Sequence, residues 1–136
     1  MLDIMTTFNS IEDAREFFKD DKFATNTGVK LIELTKDSCV CSLELTNDHR
    51  NAYGGVMGGV IFTLADFSFA VLSNHIHRPT VGQQVNILYI NASKGDKLIA
   101  KGTCRKDGRT VSIINVDVSD DQGRDIAQFT GTGFKL

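Results

Sequence analysis

The sequence is short of several things, and each shortage closes off a class of protein. No apolar run is evident that reaches the ~20 residues of a typical membrane-spanning helix, so no membrane partner is expected. Met1 to Phe8 lack the basic region and apolar stretch of a secretory leader, and the expectation is a cytoplasmic protein. Charge of one sign is lacking too. Fifteen Lys and Arg against seventeen Asp and Glu leave a formal charge of −2, which gives no electrostatic case for nucleic-acid binding. Three cysteines, Cys39, Cys41 and Cys104, form no CxxC pair, which argues against both a disulfide framework and a zinc site. The absence of tryptophan and the single Pro79 exclude nothing by themselves.

What remains is ordinary for a soluble globular domain: 41% hydrophobic and 24% charged residues. At 136 residues, with no linker, repeat or low-complexity tract, the chain reads as one domain over 1–136.

Ser10 followed by Asp13 marks a helix start, and Ile11, Ala14, Phe17 and Phe18 would share the inner face of a short helix to about Lys19. Asn26-Thr27-Gly28 reads as a turn. Two strands follow, about Val29–Leu34 and Val40–Leu45, joined through Lys36-Asp37-Ser38. Cys39 and Cys41 share one face of the second, as small apolar fillers. Thr46 to Gly55 is a polar loop, with His49 at an exposed position.

From Gly58 to about Asn74 apolar residues fall on nearly every face, so a buried helix ~25 Å long is predicted. Four further strands are expected, about Thr80–Ile90, Lys97–Lys106, Thr110–Ser119 and Arg124–Phe134. Good turn chemistry separates them, which suggests three successive hairpins. A helix apolar all round needs something wrapped around it. The α+β answer is a curved antiparallel sheet of about six strands around one long central helix, with a short N-terminal helix. An open sheet of this kind leaves an edge that pairing with a second copy would cover.

Two features inside this frame carry chemistry. Gly58 and Gly59 stand where the polar loop becomes the buried helix. Free N–H groups at a helix start stabilise a developing oxyanion, and glycine permits close approach. The same pair equally serves a tight turn and close packing. Asp66 lies mid-helix among Leu64, Ala65, Phe67 and Phe69. It is either a structural carboxylate bonded nearby, for instance to Thr63, or a cleft carboxylate able to act as general base or nucleophile.

Asn51-x-x-Gly54-x-x-Met57-Gly58-Gly59, then Leu64-Ala65-Asp66, resembles the PaaI-like acyl-CoA thioesterase motif N-x-x-G-x-x-H-G-G…L-x-D. Gly28-Val29-x-Leu31, Val85 to Ile90, Gly108-Arg109-Thr110 and Ala127 to Thr132 extend the resemblance over about Ala24 to Phe134. It implies a hotdog fold and hydrolysis of an acyl-CoA to free acid and coenzyme A, without metal or redox cofactor. Asp66 would attack or activate water, the Gly58 N–H would meet the carbonyl oxygen, and Asn51 would hold water or carboxylate. The resemblance also implies a homodimer or homotetramer with the site between subunits.

The chain departs from this pattern at Met57, which replaces the family histidine with a thioether that cannot donate a hydrogen bond. Gly82 stands where similar enzymes often carry a hydroxyl. Met57, Gly59, Gly82 and Asn86 are candidate substrate contacts, and Arg109, with Arg105 and Lys106, is a candidate for coenzyme A phosphates. A non-catalytic acyl-CoA binder on the same scaffold is the alternative, motivated by Met57. A hotdog dehydratase would want the histidine that Met57 removes. His75 and His77 read as a solvated helix end, since no third ligand has metal spacing.

Overall fold

The structure is a computed structural model, and it describes residues 6–136. In chain order the elements are α1 (Ile11–Phe18), α2 (Lys22–Thr27), β1 (Lys30–Leu34), β2 (Ser38–Glu44), a 3₁₀ turn (Asn47–His49), α3 (Gly58–Ile76), β3 (Thr80–Tyr89), β4 (Lys97–Asp107), β5 (Val111–Asp120) and β6 (Asp125–Lys135).

Ser10 caps α1 by accepting the Asp13 N–H at 3.2 Å. Ala14 and Phe18 turn inward, and Phe18 meets Phe67 of α3 edge-on at 5.6 Å. Phe17, expected on the inner face, is half exposed, with the Arg78 guanidinium over its ring at 4.9 Å. The expected turn at Asn26-Thr27-Gly28 is the end of α2. Gly28 takes a left-handed φ of 112°, and its N–H closes on the carbonyls of Ala24 and Thr25. Lys22–Thr27 was hard to foresee as helix because half of it is Thr and Asn; the glycine cap and buried Ala24 hold it.

All six strands form one antiparallel sheet in the order β1-β2-β4-β5-β6-β3. Only β4-β5-β6 is a meander. β3 crosses over to pair with β6, so the Lys94-Gly95-Asp96 segment is a crossover connection and not a third hairpin. Asp120 ties that connection down. Its two carboxylate oxygens accept the N–H groups of Lys94, Gly95, Gln122 and Arg124 and the Ser93 hydroxyl.

The sheet wraps α3. Leu64, Ala65, Val71 and Leu72 of the helix are fully buried with Ala100, Ile114, Val116 and Phe129 from the sheet. Cys39 and Cys41 fill the same face, the Cys39 Sγ lying 3.4 Å from the Ser68 carbonyl oxygen. By length and composition α3 is, against expectation, apolar enough to cross a membrane. More than half of it lies inside the domain, which accounts for its composition.

Phe69 explains how closely α3 approaches the sheet. A methyl at Gly131 would lie 2.6 Å from its ring, and methyls at Gly82 and Gly133 would lie at 3.4 and 3.5 Å. Three glycines of β3 and β6 thus form the floor under one phenyl ring. The free edge β3 carries exposed Val81, Leu88 and Tyr89, with Ile90 just beyond. An apolar unpaired edge is a template for association with another strand.

Candidate active site

The loop before α3 folds on itself through Asn51. Its Oδ1 accepts the N–H groups of Tyr53 and Gly55 at 2.9 and 3.1 Å, and its own N–H donates to the Gly55 carbonyl at 2.8 Å. Gly54, at φ 84°, permits this turn. His49 fixes the loop to the domain. Its ring accepts the Thr46 N–H at 3.0 Å, which leaves the other nitrogen to donate to the Thr27 carbonyl at 2.8 Å. Its carbonyl accepts the Met57 N–H. The expected exposed side chain is therefore a buried strut.

Met57 is the N-cap of α3, and its Sδ accepts the Gly59 N–H at 2.9 Å. The Met57 carbonyl takes the N–H groups of Val60 and Ile61. Among the described residues the Gly58 N–H meets no acceptor, so one first-turn donor stays free. The Gly58 carbonyl accepts the Tyr89 hydroxyl at 3.1 Å, and a Cβ at position 58 would lie in ordinary contact with the Tyr89 ring at 3.4 Å. Sequence reasoning left the facing of Tyr89 open. An aromatic residue at the strand end was the available signal, but only the β3–β6 crossover brings it to the helix start.

Asp66 lines a cavity of about 300 Å³ between α2 and α3, with Asp21, Phe23, Ala24, Phe62, Thr63 and Phe67. Among the described residues nothing hydrogen-bonds its carboxyl. Thr63, the structural partner considered for it, donates instead to the Gly59 carbonyl at 2.7 Å. Burial pushes the Asp66 carboxyl above its ordinary range, and the charge of Asp21 adds to the rise. A half-buried, unbonded carboxylate at a cavity wall is suited to general-base or nucleophilic chemistry.

Met57, Gly58 and Gly59 form the helix start, and Asn51 lies in the loop just before it. Asp66 does not join them within one chain. Eight residues at 1.5 Å each put it about 12 Å further along the helix axis. Gly82 sits at a bulge of β3 under Phe69, and Asn86 is exposed on β3 opposite Thr130. Arg109 lies in the β4–β5 turn, where Thr110 bonds the last residue of β6, at the opposite end of the sheet from Tyr89 and Gly58. His75 is not at a solvated end; it is buried inside α3 and stacked on Phe8 at 5.8 Å. Among the described residues no three of His, Cys, Asp and Glu gather where they could hold a metal ion.

The sequence profile of the thioesterase superfamily matches residues 53–127. A protein of Deinococcus radiodurans provisionally named an esterase is 30% identical over 112 residues, 81% of this chain and 76% of that protein. The acyl-coenzyme A thioesterase PaaI of Escherichia coli is 23% identical over 92% of this chain and 90% of its own. The structure of E. coli PaaI has the same fold, with a TM-score of 0.87 over 93% of this chain and 92% of that one. A hypothetical thioesterase of Streptococcus pneumoniae, solved with coenzyme A, is 28% identical with a TM-score of 0.80, covering 88% of this chain and 96% of that one.

Proposed function

The chain belongs to the thioesterase superfamily, as a PaaI-like hotdog protein, and from that premise we propose that it hydrolyses an acyl-CoA to a free acid and coenzyme A. The observation that carries this reading is Asp66: a cavity carboxylate with no hydrogen bond among the described residues and a raised pKa, on the helix whose start presents a free Gly58 N–H. The coenzyme A in the Streptococcus pneumoniae relative supports the substrate class.

In this mechanism water attacks the thioester carbon while Asp66 takes its proton, or the carboxylate itself attacks and water releases the acyl group afterwards. The carbonyl π electrons move to oxygen, and the Gly58 N–H stabilises the oxyanion together with the positive helix start. Collapse breaks the C–S bond. The thiolate leaves and takes a proton to become the coenzyme A thiol. The Asn51 amide NH2, left over after its Oδ1 shapes the loop, positions water or the carboxylate.

A separation of about 12 Å along α3 keeps Gly58 and Asp66 of one chain from acting on the same carbonyl. Two copies paired through the apolar β3 edge would let Gly58 and Asn51 of one serve Asp66 of the other. Mixing inactive Asp66→Ala with inactive Asn51→Ala subunits should then restore activity, because each mixed dimer has one unaltered site. A mixture as inactive as its parents, with mixed dimers verified, contradicts the intersubunit site.

Met57 favours a second reading, a non-catalytic acyl-CoA binder. Its sulfur takes up the Gly59 N–H and supplies no imidazole. Binding without thiol release distinguishes the two.

A further inference from the structure

Two consecutive glycines open α3, and glycine restrains its flanking peptide planes less than any other residue. A hydrogen-bond donor at such a place assists a reaction to the extent that its direction is fixed beforehand. The peptide units on either side of Gly58 present the Met57 carbonyl, the Gly58 N–H, the Gly58 carbonyl and the Gly59 N–H. The Met57 carbonyl accepts the Val60 and Ile61 N–H groups at 3.0 and 3.4 Å. The Gly59 N–H donates to the Met57 Sδ at 2.9 Å, and the Gly58 carbonyl accepts the Tyr89 hydroxyl at 3.1 Å. Among the described residues the Gly58 N–H alone of this set meets no acceptor.

The Met57 bonds are local to residues 57–61. The Tyr89 bond comes from another element, thirty-one residues along the chain. Tyr89 ends β3 opposite the fully buried Ala127 of β6. Just beyond it, the N–H groups of Ile90 and Asn91 both donate to the Ile126 carbonyl, at 2.8 and 3.3 Å. The hydroxyl is thus carried by a strand end pinned to the sheet, a firmer reference than the loop that leads into the helix.

We propose that Tyr89 is a positioning residue: its hydroxyl holds the Gly58–Gly59 peptide plane against the sheet and so keeps the Gly58 N–H aimed at the substrate carbonyl. The inference rests on the assignment of that N–H to the carbonyl oxygen, and adds the group that keeps the donor in place. Tyr89 acts through the backbone, not on the reacting atoms. Without its hydroxyl the first turn keeps only the bonds from Met57, and helix ends held by local bonds fray.

Tyr89→Phe removes the hydroxyl and keeps the ring beside Gly58. With the fastest substrate of a short-chain, medium-chain and aromatic acyl-CoA panel, kcat of the folded variant should fall about tenfold. That is less than the ~10²–10³-fold cost of deleting an oxyanion donor outright. KM should stay within about twofold, because the bond serves the transition state more than substrate binding. A purely structural Tyr89 would lower Tm and leave kcat alone. An unchanged kcat in the folded variant, or a loss confined to KM, overturns the proposal.

A second measurement needs no turnover. The Gly58 amide is followed by NMR during titration with the ketone analogue of acetyl-CoA, in which a methylene replaces the sulfur. In the native protein the Gly58 amide proton should move downfield as it bonds the ketone oxygen, and in Tyr89→Phe the shift at saturation should be smaller. That result supports the role of Tyr89 even if the protein releases no thiol, an outcome that would overturn the hydrolase reading alone. Equal shifts in the two proteins, or none in the native protein, overturn the proposal.

Discussion

Gly131→Ala tests the packing that places α3, and so Asp66, against the sheet. The added methyl would sit 2.6 and 2.7 Å from two carbons of the Phe69 ring, about 1 Å inside ordinary contact. The ring cannot simply turn away. Phe69 is 3% exposed, leans on the fully buried Phe129 at 6.0 Å, and lies over Gly82 and Gly133 as well. Overpacking of this kind costs about 1–3 kcal/mol. Replacing glycine recovers ~0.4–1 kcal/mol from the unfolded chain, because Gly131 does not need a positive φ. The net is a destabilisation of about 1–2 kcal/mol, or ~4–8 °C in Tm for a chain of this size. Thermal unfolding followed by circular dichroism measures it. Because Phe69 lies one turn beyond Asp66, kcat/KM should fall as well. Adding Phe69→Leu should recover part of the lost Tm, since the two sites are in contact. A Tm equal to or above that of the native protein would refute the close approach of α3 to its glycine floor.

Four other outcomes follow from the structure. Asp21→Asn removes the charge that helps raise Asp66, so the acidic limb of kcat/KM should move to lower pH; a limb that stays in place separates Asp21 from the titration. The raised pKa also has a stability sign: folded protein holds the Asp66 proton more tightly, so stability falls as pH rises through the folded value, and Asp66→Asn should raise Tm above that pH. Met57→His restores a donor at the helix start and should raise thiol release, within the ~10²–10⁴-fold range of acid–base assistance; an unchanged rate on every thioester tried removes position 57 from catalysis. Burial would lift the Asp120 carboxyl, but the N–H groups of Lys94, Arg124 and Gln122 and the Ser93 hydroxyl outweigh it and hold the pKa to about 2. Its stabilisation is present above the ordinary carboxylate range and lost as pH falls toward about 2, so Asp120→Asn should lower Tm at neutral pH and flatten the acid transition.

Much of this was legible in the sequence, for physical reasons that differ by element. The long all-round apolar run of α3 and the alternation and turn residues of the strands report local geometry, and together they define the wrapped helix. The crossover of β3 to β6 leaves no local trace, because Lys94-Gly95-Asp96 has the chemistry of a hairpin turn and is held by Asp120, far along the chain. Helix α2 was hidden by poor helix formers. His49 and His75 were read from their sequence neighbours, while their burial comes from elements more distant in sequence. For the site, Asn51, Gly58 and Asp66 were visible as residue types in a motif. The Tyr89 contact and the Asp21 charge depend on tertiary placement and left no comparable signal, and the Sδ cap from Met57 is local but comes from a residue type that carries no capping signature.

Thiol release from a panel of short-chain, medium-chain and aromatic acyl-CoAs, with native protein and Asp66→Ala side by side, tests the central claim most directly. The native protein should turn over at least one substrate, and the folded variant should lose that turnover. Equal turnover in both would contradict the role of Asp66, and tight acyl-CoA binding with no thiol release from any substrate would contradict hydrolysis itself.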